Sequence, residues 1–154
     1  MGEDLIVNCI GVFLLLRLLF TRAAGQEDHF PWEHLFTAMI LLTILGLTSE
    51  AMSFLIDGTR FPGSRVLNIL LNTLCFLSSS TLGYLWCLFA EFRIFNNLQR
   101  VRKTALRLLP ILVLVYILCL VNLKNGIFFT ISPDNVYQRG RLFIVPYLVV
   151  FFDY

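Results

Sequence analysis

Five apolar runs separated by short polar linkers limit what this chain can fold into. They cover residues 5–20, 35–56, 66–92, 106–123 and 142–154. A helix rising about 1.5 Å per residue needs about 20 apolar residues to cross about 30 Å of hydrocarbon. The first run is short for a crossing, and the fifth holds only about 13 residues before Tyr154. The expected architecture is all-α: a polytopic transmembrane helical bundle with four complete helices and the start of a fifth. The half-length fifth run leads us to expect the front part of a longer membrane protein, with residues 1–154 forming one incomplete unit.

Composition agrees. Hydrophobic residues make up 58% of the chain and charged residues 14%, whereas soluble domains carry about 25% charged residues. The mean hydropathy is +0.79. A soluble helix also needs a polar face, and these runs have none. A net charge of +2 is too small to suggest nucleic acid as a partner.

Cys9, Cys75, Cys87 and Cys119 stand in separate apolar runs, without a CxxC pair or a histidine at ligand spacing. They read as buried thiols acting as small hydrophobes, not as a zinc site. His29 and His34 share an acidic linker with Glu27, Asp28 and Glu33. That linker reads as a solvated interfacial turn, so no metal ligand is assigned.

The start Met1-Gly2-Glu3-Asp4 is acidic where a signal peptide is basic, and Arg17 interrupts the first run. We therefore read a retained helix with Arg17 snorkelling to the interface, although Ala23-Ala24 resembles a cleavage site. Arg93, Arg100, Arg102, Lys103 and Arg107 cluster between the third and fourth runs, with Glu91 the nearby acid. Cytoplasmic loops accumulate Lys and Arg, which places this loop inside and the N-terminus outside. Arg60, Arg65, Lys124, Arg139 and Arg141 then fall on outer loops, against the trend. Pro110 falls near the first turns of the fourth run, where a missing N–H costs little.

Polar residues inside the runs carry the first site hypothesis. Thr43, Gly46, Glu50, Ser53 and Asp57 recur at helical spacing on the second run, and Asn68, Asn72, Cys75 and Ser79 on the third. The short loop Gly58–Ser64 makes the two spans antiparallel neighbours. Folding about it sets Asp57 level with Arg65, Ser53 with Asn68, Glu50 with Asn72, Gly46 with Cys75 and Thr43 with Ser79. One explanation is packing: small and polar residues let membrane helices approach and hydrogen-bond. The other is a sensing or ligand role centred on Glu50, since intramembrane acids often mark ligand, ion or proton sites. Protonated, Glu50 can donate to Asn72; ionised, it needs a cation, and Arg65 is the nearest.

The second hypothesis concerns residues 124–141. Ile127 to Ile131 is aromatic and β-branched, Ser132-Pro133-Asp134-Asn135 has turn chemistry, and Val136 to Gln138 can pair back. A small extracytoplasmic β-hairpin on the membrane face is expected, either as a structural lid or as part of a pocket. In the pocket reading Tyr137 and Arg139 meet an anionic or aromatic small molecule.

The sequence holds no Gly-rich phosphate loop, GxSxG or HExxH, and no repeat. No catalytic residue is assigned.

Several segments together resemble a known family. Leu55-Ile56-Asp57-Gly58, then Leu67-Asn68 and Leu71-Asn72, then Gly83-Tyr84-Leu85-Trp86 and Arg93 are similar to it. So are Gly126-Ile127-Phe128-Phe129 and Asn135-Val136-Tyr137-Gln138-Arg139-Gly140-Arg141-Leu142-Phe143. They resemble the N-terminal multi-pass membrane regions that precede GGDEF diguanylate cyclase domains in bacteria. Glu50 departs from that pattern, where an Asp or a neutral residue is expected. The resemblance implies a sensory or input region in the bacterial cytoplasmic membrane, a homodimer, and an extracytoplasmic small-molecule ligand. It also implies a C-terminal cyclase that makes cyclic di-GMP from GTP with Mg²⁺. No Gly-Gly-Asp/Glu-Glu-Phe stretch occurs here, so no cofactor is expected on this chain. The rival readings are a fragment of a small-molecule transporter or permease, and a passive membrane anchor for another output such as a histidine kinase.

Overall fold

The computed structural model describes residues 2–24 and 31–142. Four long helices and a two-stranded hairpin follow one another: α1 (Gly2–Ala24), α2 (Pro31–Ile56), α3 (Ser64–Phe95), α4 (Leu98–Asn125), β1 (Phe129–Ile131) and β2 (Tyr137–Arg139). All four helices are long and apolar enough to cross a membrane. The fifth run lies outside the described residues beyond Leu142, as do His29, Glu27 and Asp28.

Each helix begins and ends where local chemistry dictates. Glu3 and Asp4 sit in the first turn of α1, at the positive end of its dipole. Pro31 opens α2, where a missing N–H costs nothing. The third helix closes at Asn96, which adopts φ 47° and donates its N–H to the Phe92 carbonyl. Asn97 then caps α4 by accepting from the amides of Gln99 and Arg100 at 3.0 and 3.2 Å. At the far end Gly126, at φ 60°, returns its N–H to the Asn122 carbonyl.

This tight Asn96-Asn97 connection corrects the expected long basic loop. Arg93 lies in the last turn of α3, and Arg100, Arg102, Lys103 and Arg107 ride on the first turns of α4. Arg and Lys are good helix formers, so the helices run on past the apolar stretch. Glu91 pairs with Arg100 at 2.7 Å, and the Arg100 guanidinium lies 3.4 Å over the Phe95 ring. Pro110 consequently lies inside α4 rather than near its start, and its ring removes the N–H that would have reached Leu106.

Contacts show that successive helices run antiparallel. Asn8 meets Glu50, while Gly11 abuts Leu47, so α1 descends as α2 climbs. Phe36 packs near Phe89 while Asp57 meets Asn68, so α3 reverses α2. Tyr84 reaches the Ala105 carbonyl while Phe76 packs with Val115, so α4 reverses α3. One end of the bundle therefore carries the basic cluster and the other carries the hairpin.

The expected hairpin is present, with Phe129 opposite Arg139 and Ile131 opposite Tyr137. Its position differs from the expectation. Phe128, Phe129 and Ile131 are buried in one cluster with Phe76 of α3 and with Val115 and Cys119 of α4. Phe76 stacks on Phe129 with ring centres 5.6 Å apart and on Phe128 at 5.9 Å. Three aromatic rings bury too much apolar area to lie on a surface. The hairpin is wedged into the end of the bundle, not laid across it.

Candidate functional site

Asn68 stands one turn into α3 and is fully buried, at 0% exposure. Its Nδ2 donates to Asp57 Oδ1 at 3.2 Å and to Asn135 Oδ1 at 3.1 Å. Its own Oδ1 accepts from Asn72 Nδ2 at 2.8 Å. Both N–H donors and the acceptor oxygen are engaged, as burial in an apolar bundle requires.

Asn135 completes the clamp from the hairpin turn. It adopts φ 62°, a left-handed conformation that Asn tolerates better than other side chains. In that pose Nδ2 donates to the carbonyls of Ile56 at 2.8 Å and Thr59 at 3.1 Å. Its backbone carbonyl accepts the Gly58 N–H at 2.8 Å. A single buried residue thus adds a second tie to the end of α2, whose Ile56 carbonyl also accepts from Thr59 and whose Thr59 carbonyl also accepts from Ser64. Asp57 Oδ1 also accepts the Tyr137 N–H at 2.8 Å, fastening β2.

A second asparagine secures the other arm. Asn122, near the end of α4, accepts the Phe128 and Phe129 amides on Oδ1 at 2.6 and 3.3 Å. It returns a bond from Nδ2 to the Phe129 carbonyl at 3.3 Å. Non-helical backbone packed in an apolar cluster persists only where such partners are supplied. Gly140 passes so close to the Ile127 carbonyl that a Cβ there would overlap it.

The seam between α2 and α3 follows the expected depth only in part. Thr43 and Ser79 both line one apolar cavity of about 470 Å³ with Leu15, Phe36, Met39 and Trp86. The expected pairings of Asp57 with Arg65 and of Ser53 with Asn68 are replaced: Asp57 accepts from Asn68 at 3.2 Å, and Ser53 Oγ donates to the Glu50 carbonyl at 2.8 Å. The expected pairing of Glu50 with Asn72 or Arg65 is replaced. Glu50 Oε2 accepts from Asn8 Nδ2 at 3.1 Å, so its partner is on α1. Asn72 turns to Asn68, one helical turn away. Arg65 Nε reaches toward the hairpin and donates to the Ile131 carbonyl at 3.2 Å. Gly46 faces Ser78 rather than Cys75. Buried groups with no water take the nearest complementary partner, and α1 brings Asn8 to that depth. Ser78 Oγ is buried without a hydrogen-bond partner in the protein.

A polar cleft of about 420 Å³ opens at the hairpin end, between the α2–α3 turn and the hairpin tip. Thr59, Arg60 and Arg65 stand on one wall and Pro133, Asp134 and Asn135 on the other. Arg60 and Asp134 meet across it at 2.9 Å, with side chains 78% and 71% exposed. An ion pair so exposed contributes at most about 1 kcal/mol.

Tyr137 and Arg139, the expected ligand contacts, do not line this cleft. The Tyr137 ring stacks on Phe129, centres 5.9 Å apart, and Arg139 lies exposed on β2. Alternation along the strand puts both on the face of their partners Ile131 and Phe129. Asn8, Asn122 and Asn135 were absent from the expected set, as were Arg60 and Asp134. Among the described residues no group of three or more His, Cys, Asp or Glu side chains could hold a metal.

Comparison with family models, curated proteins and solved structures found no match to this chain.

Proposed function

We propose that this chain is the membrane-embedded sensory region of a bacterial signalling protein, and that its output is a diguanylate cyclase. The observation that carries the reading is the double attachment of the hairpin. Its turn is tied to α2 and α3 through Asn135, Asp57 and Asn68. Its first strand is tied to α4 through Asn122. A ligand that shifts the hairpin must repack three helices at once, which is how a small movement at one end is passed along a bundle. On this reading the hairpin end faces outward, the basic end faces the cytoplasm, and the protein is a dimer in the cytoplasmic membrane.

A transporter would place broken helices at the bilayer midplane, and α2, α3 and α4 run without interruption. A passive anchor has no use for a buried network of this kind at one end.

The test is a fusion of residues 1–154 to a reporter cyclase whose activity depends on dimer geometry, with cyclic di-GMP as the readout. Asn68→Leu, Glu50→Leu and Asn135→Gly should leave the protein inserted and move the output by several-fold. Output that stays constant in all three, with insertion verified, removes the sensory reading in favour of an anchor.

A further inference from the structure

The cleft at the hairpin end carries opposite charges on its two walls, and the charges hold each other only loosely. Arg60 extends from the α2–α3 turn and Asp134 from the hairpin tip, and both are exposed to solvent where they meet. Arg65 reinforces the Arg60 wall. Its Nε is committed to the Ile131 carbonyl, while its terminal nitrogens have no protein partner among the described residues.

The start of α3 adds to the same wall. Gly63 caps the helix with no side chain, and the first helical bond runs from the Leu67 N–H to the Gly63 carbonyl. The amides of Arg65 and Val66 therefore have no acceptor within the helix, and the positive end of its dipole lies here. Phe61, 46% exposed, and Pro133 supply an apolar edge. The volume of about 420 Å³ suits a small molecule.

We infer that this cleft binds a free amino acid by opening the Arg60–Asp134 pair. The ligand carboxylate takes the place of Asp134 on the Arg60 guanidinium and extends toward Arg65. The ligand ammonium takes the place of Arg60 on the Asp134 carboxylate. A simple anion leaves Asp134 unpaired beside it, and a simple cation strands two guanidinium groups together. Only a ligand carrying both charges satisfies both walls. The inference rests on the sensory reading for its consequence. Replacing a direct turn-to-hairpin bond by a bridged one moves the hairpin relative to α2 and α3.

The experiment uses the purified chain in nanodiscs, screened for thermal stabilisation by each standard L-amino acid. The best binder is then titrated beside its two analogues, one lacking the amino group and one lacking the carboxylate. Each analogue should bind at least about tenfold more weakly, the loss of one charge-assisted contact. Arg60→Gln and Asp134→Asn should each weaken the amino acid by about tenfold or more. Asp134→Asn should also bring the des-amino analogue closer to the parent, because the opposing carboxylate is gone. Absence of stabilisation by any amino acid overturns the inference, as does equal binding of parent and des-amino analogue. The reporter fusion keeps the two claims apart. Binding without a change in output supports this site and removes its sensory use. Output changed by hairpin variants without amino-acid binding does the reverse.

Discussion

Asn68 Nδ2 lies 3.1 Å from Asn135 Oδ1, joining the second turn of α3 to a hairpin turn 67 residues later. Both side chains are buried, and each also bonds to the end of α2. That bond is the point where turn, helix and hairpin meet, and the stability of this end of the protein depends on it.

Replacing Asn135 separates its two contributions. Asn135→Ala loses the bonds to Ile56, Thr59 and Asn68 and forces a Cβ-bearing side chain to hold φ 62° without compensation. A loss of about 2–4 kcal/mol is expected from buried groups left unpaired plus backbone strain. Asn135→Gly keeps the backbone relaxed and should recover about 1 kcal/mol of it. Thermal unfolding in detergent compares the two, and equal stabilities would remove the backbone term.

Asn122→Leu should loosen the hairpin locally. The Phe128 and Phe129 amides lose their acceptor, and leaving such groups unpaired costs about 1–3 kcal/mol. Hydrogen exchange over residues 126–140 should accelerate by tenfold or more at that cost, with α1 and α2 unchanged. Uniform protection throughout would show that Asn122 is dispensable.

The Asn8–Glu50 bond predicts coupling between α1 and α2. In a double-mutant cycle with Asn8→Leu and Glu50→Leu, an interaction energy of about 0.6–1.7 kcal/mol is expected for a bond inside a membrane bundle. Glu50→Gln keeps an acceptor for the Asn8 amide and should fold as the parent does. Additive losses in the cycle would mean that the two residues do not interact.

Gly140→Ala should damage the hairpin where Gly58→Ala does not. A Cβ at Gly140 overlaps the Ile127 carbonyl, which is backbone and cannot swing aside, whereas Gly58 has open space around it. Gly58 sits at φ 74°, so its own penalty is the roughly 1 kcal/mol of left-handed strain. The Gly140 variant should lose more, read as the difference in melting temperature. A smaller loss at Gly140 would contradict the packing described.

The antiparallel helices put the Arg100 end and the hairpin at opposite ends of the bundle, and the proposed orientation puts the Arg100 end inside. With Cys9, Cys75, Cys87 and Cys119 replaced by serine, Arg100→Cys and Asp134→Cys should label from opposite faces, residue 100 from inside and residue 134 from outside. Labelling of both from one face would contradict the helix order itself, and an exchange of faces would invert the proposed orientation.

Local signals were legible in the sequence because they need only a few neighbouring residues. The apolar runs gave four helices, the turn residues gave the hairpin, and the short turn made α2 and α3 antiparallel neighbours, although Asp57 meets Asn68 where Arg65 was expected. Glu50 was legible as an unusual buried acid, yet its partner was not. Asn8 lies 42 residues earlier; it stands as a polar residue inside the first run, but helical spacing within α2 and α3 does not say that α1 packs against Glu50. The asparagines were hidden for the same reason. Asn135 reads as an ordinary turn residue, and its bond to the Ile56 carbonyl spans 79 residues. Asn122 reads as a polar helix end.

Hydrophobicity by itself thus determined the class of this protein, helices of membrane length, and local turn chemistry determined the hairpin after α4. Which polar groups pair was decided only by the packed bundle. Inside an apolar interior every donor must find an acceptor, and the geometry of four helices and a wedged hairpin dictates which one is within reach.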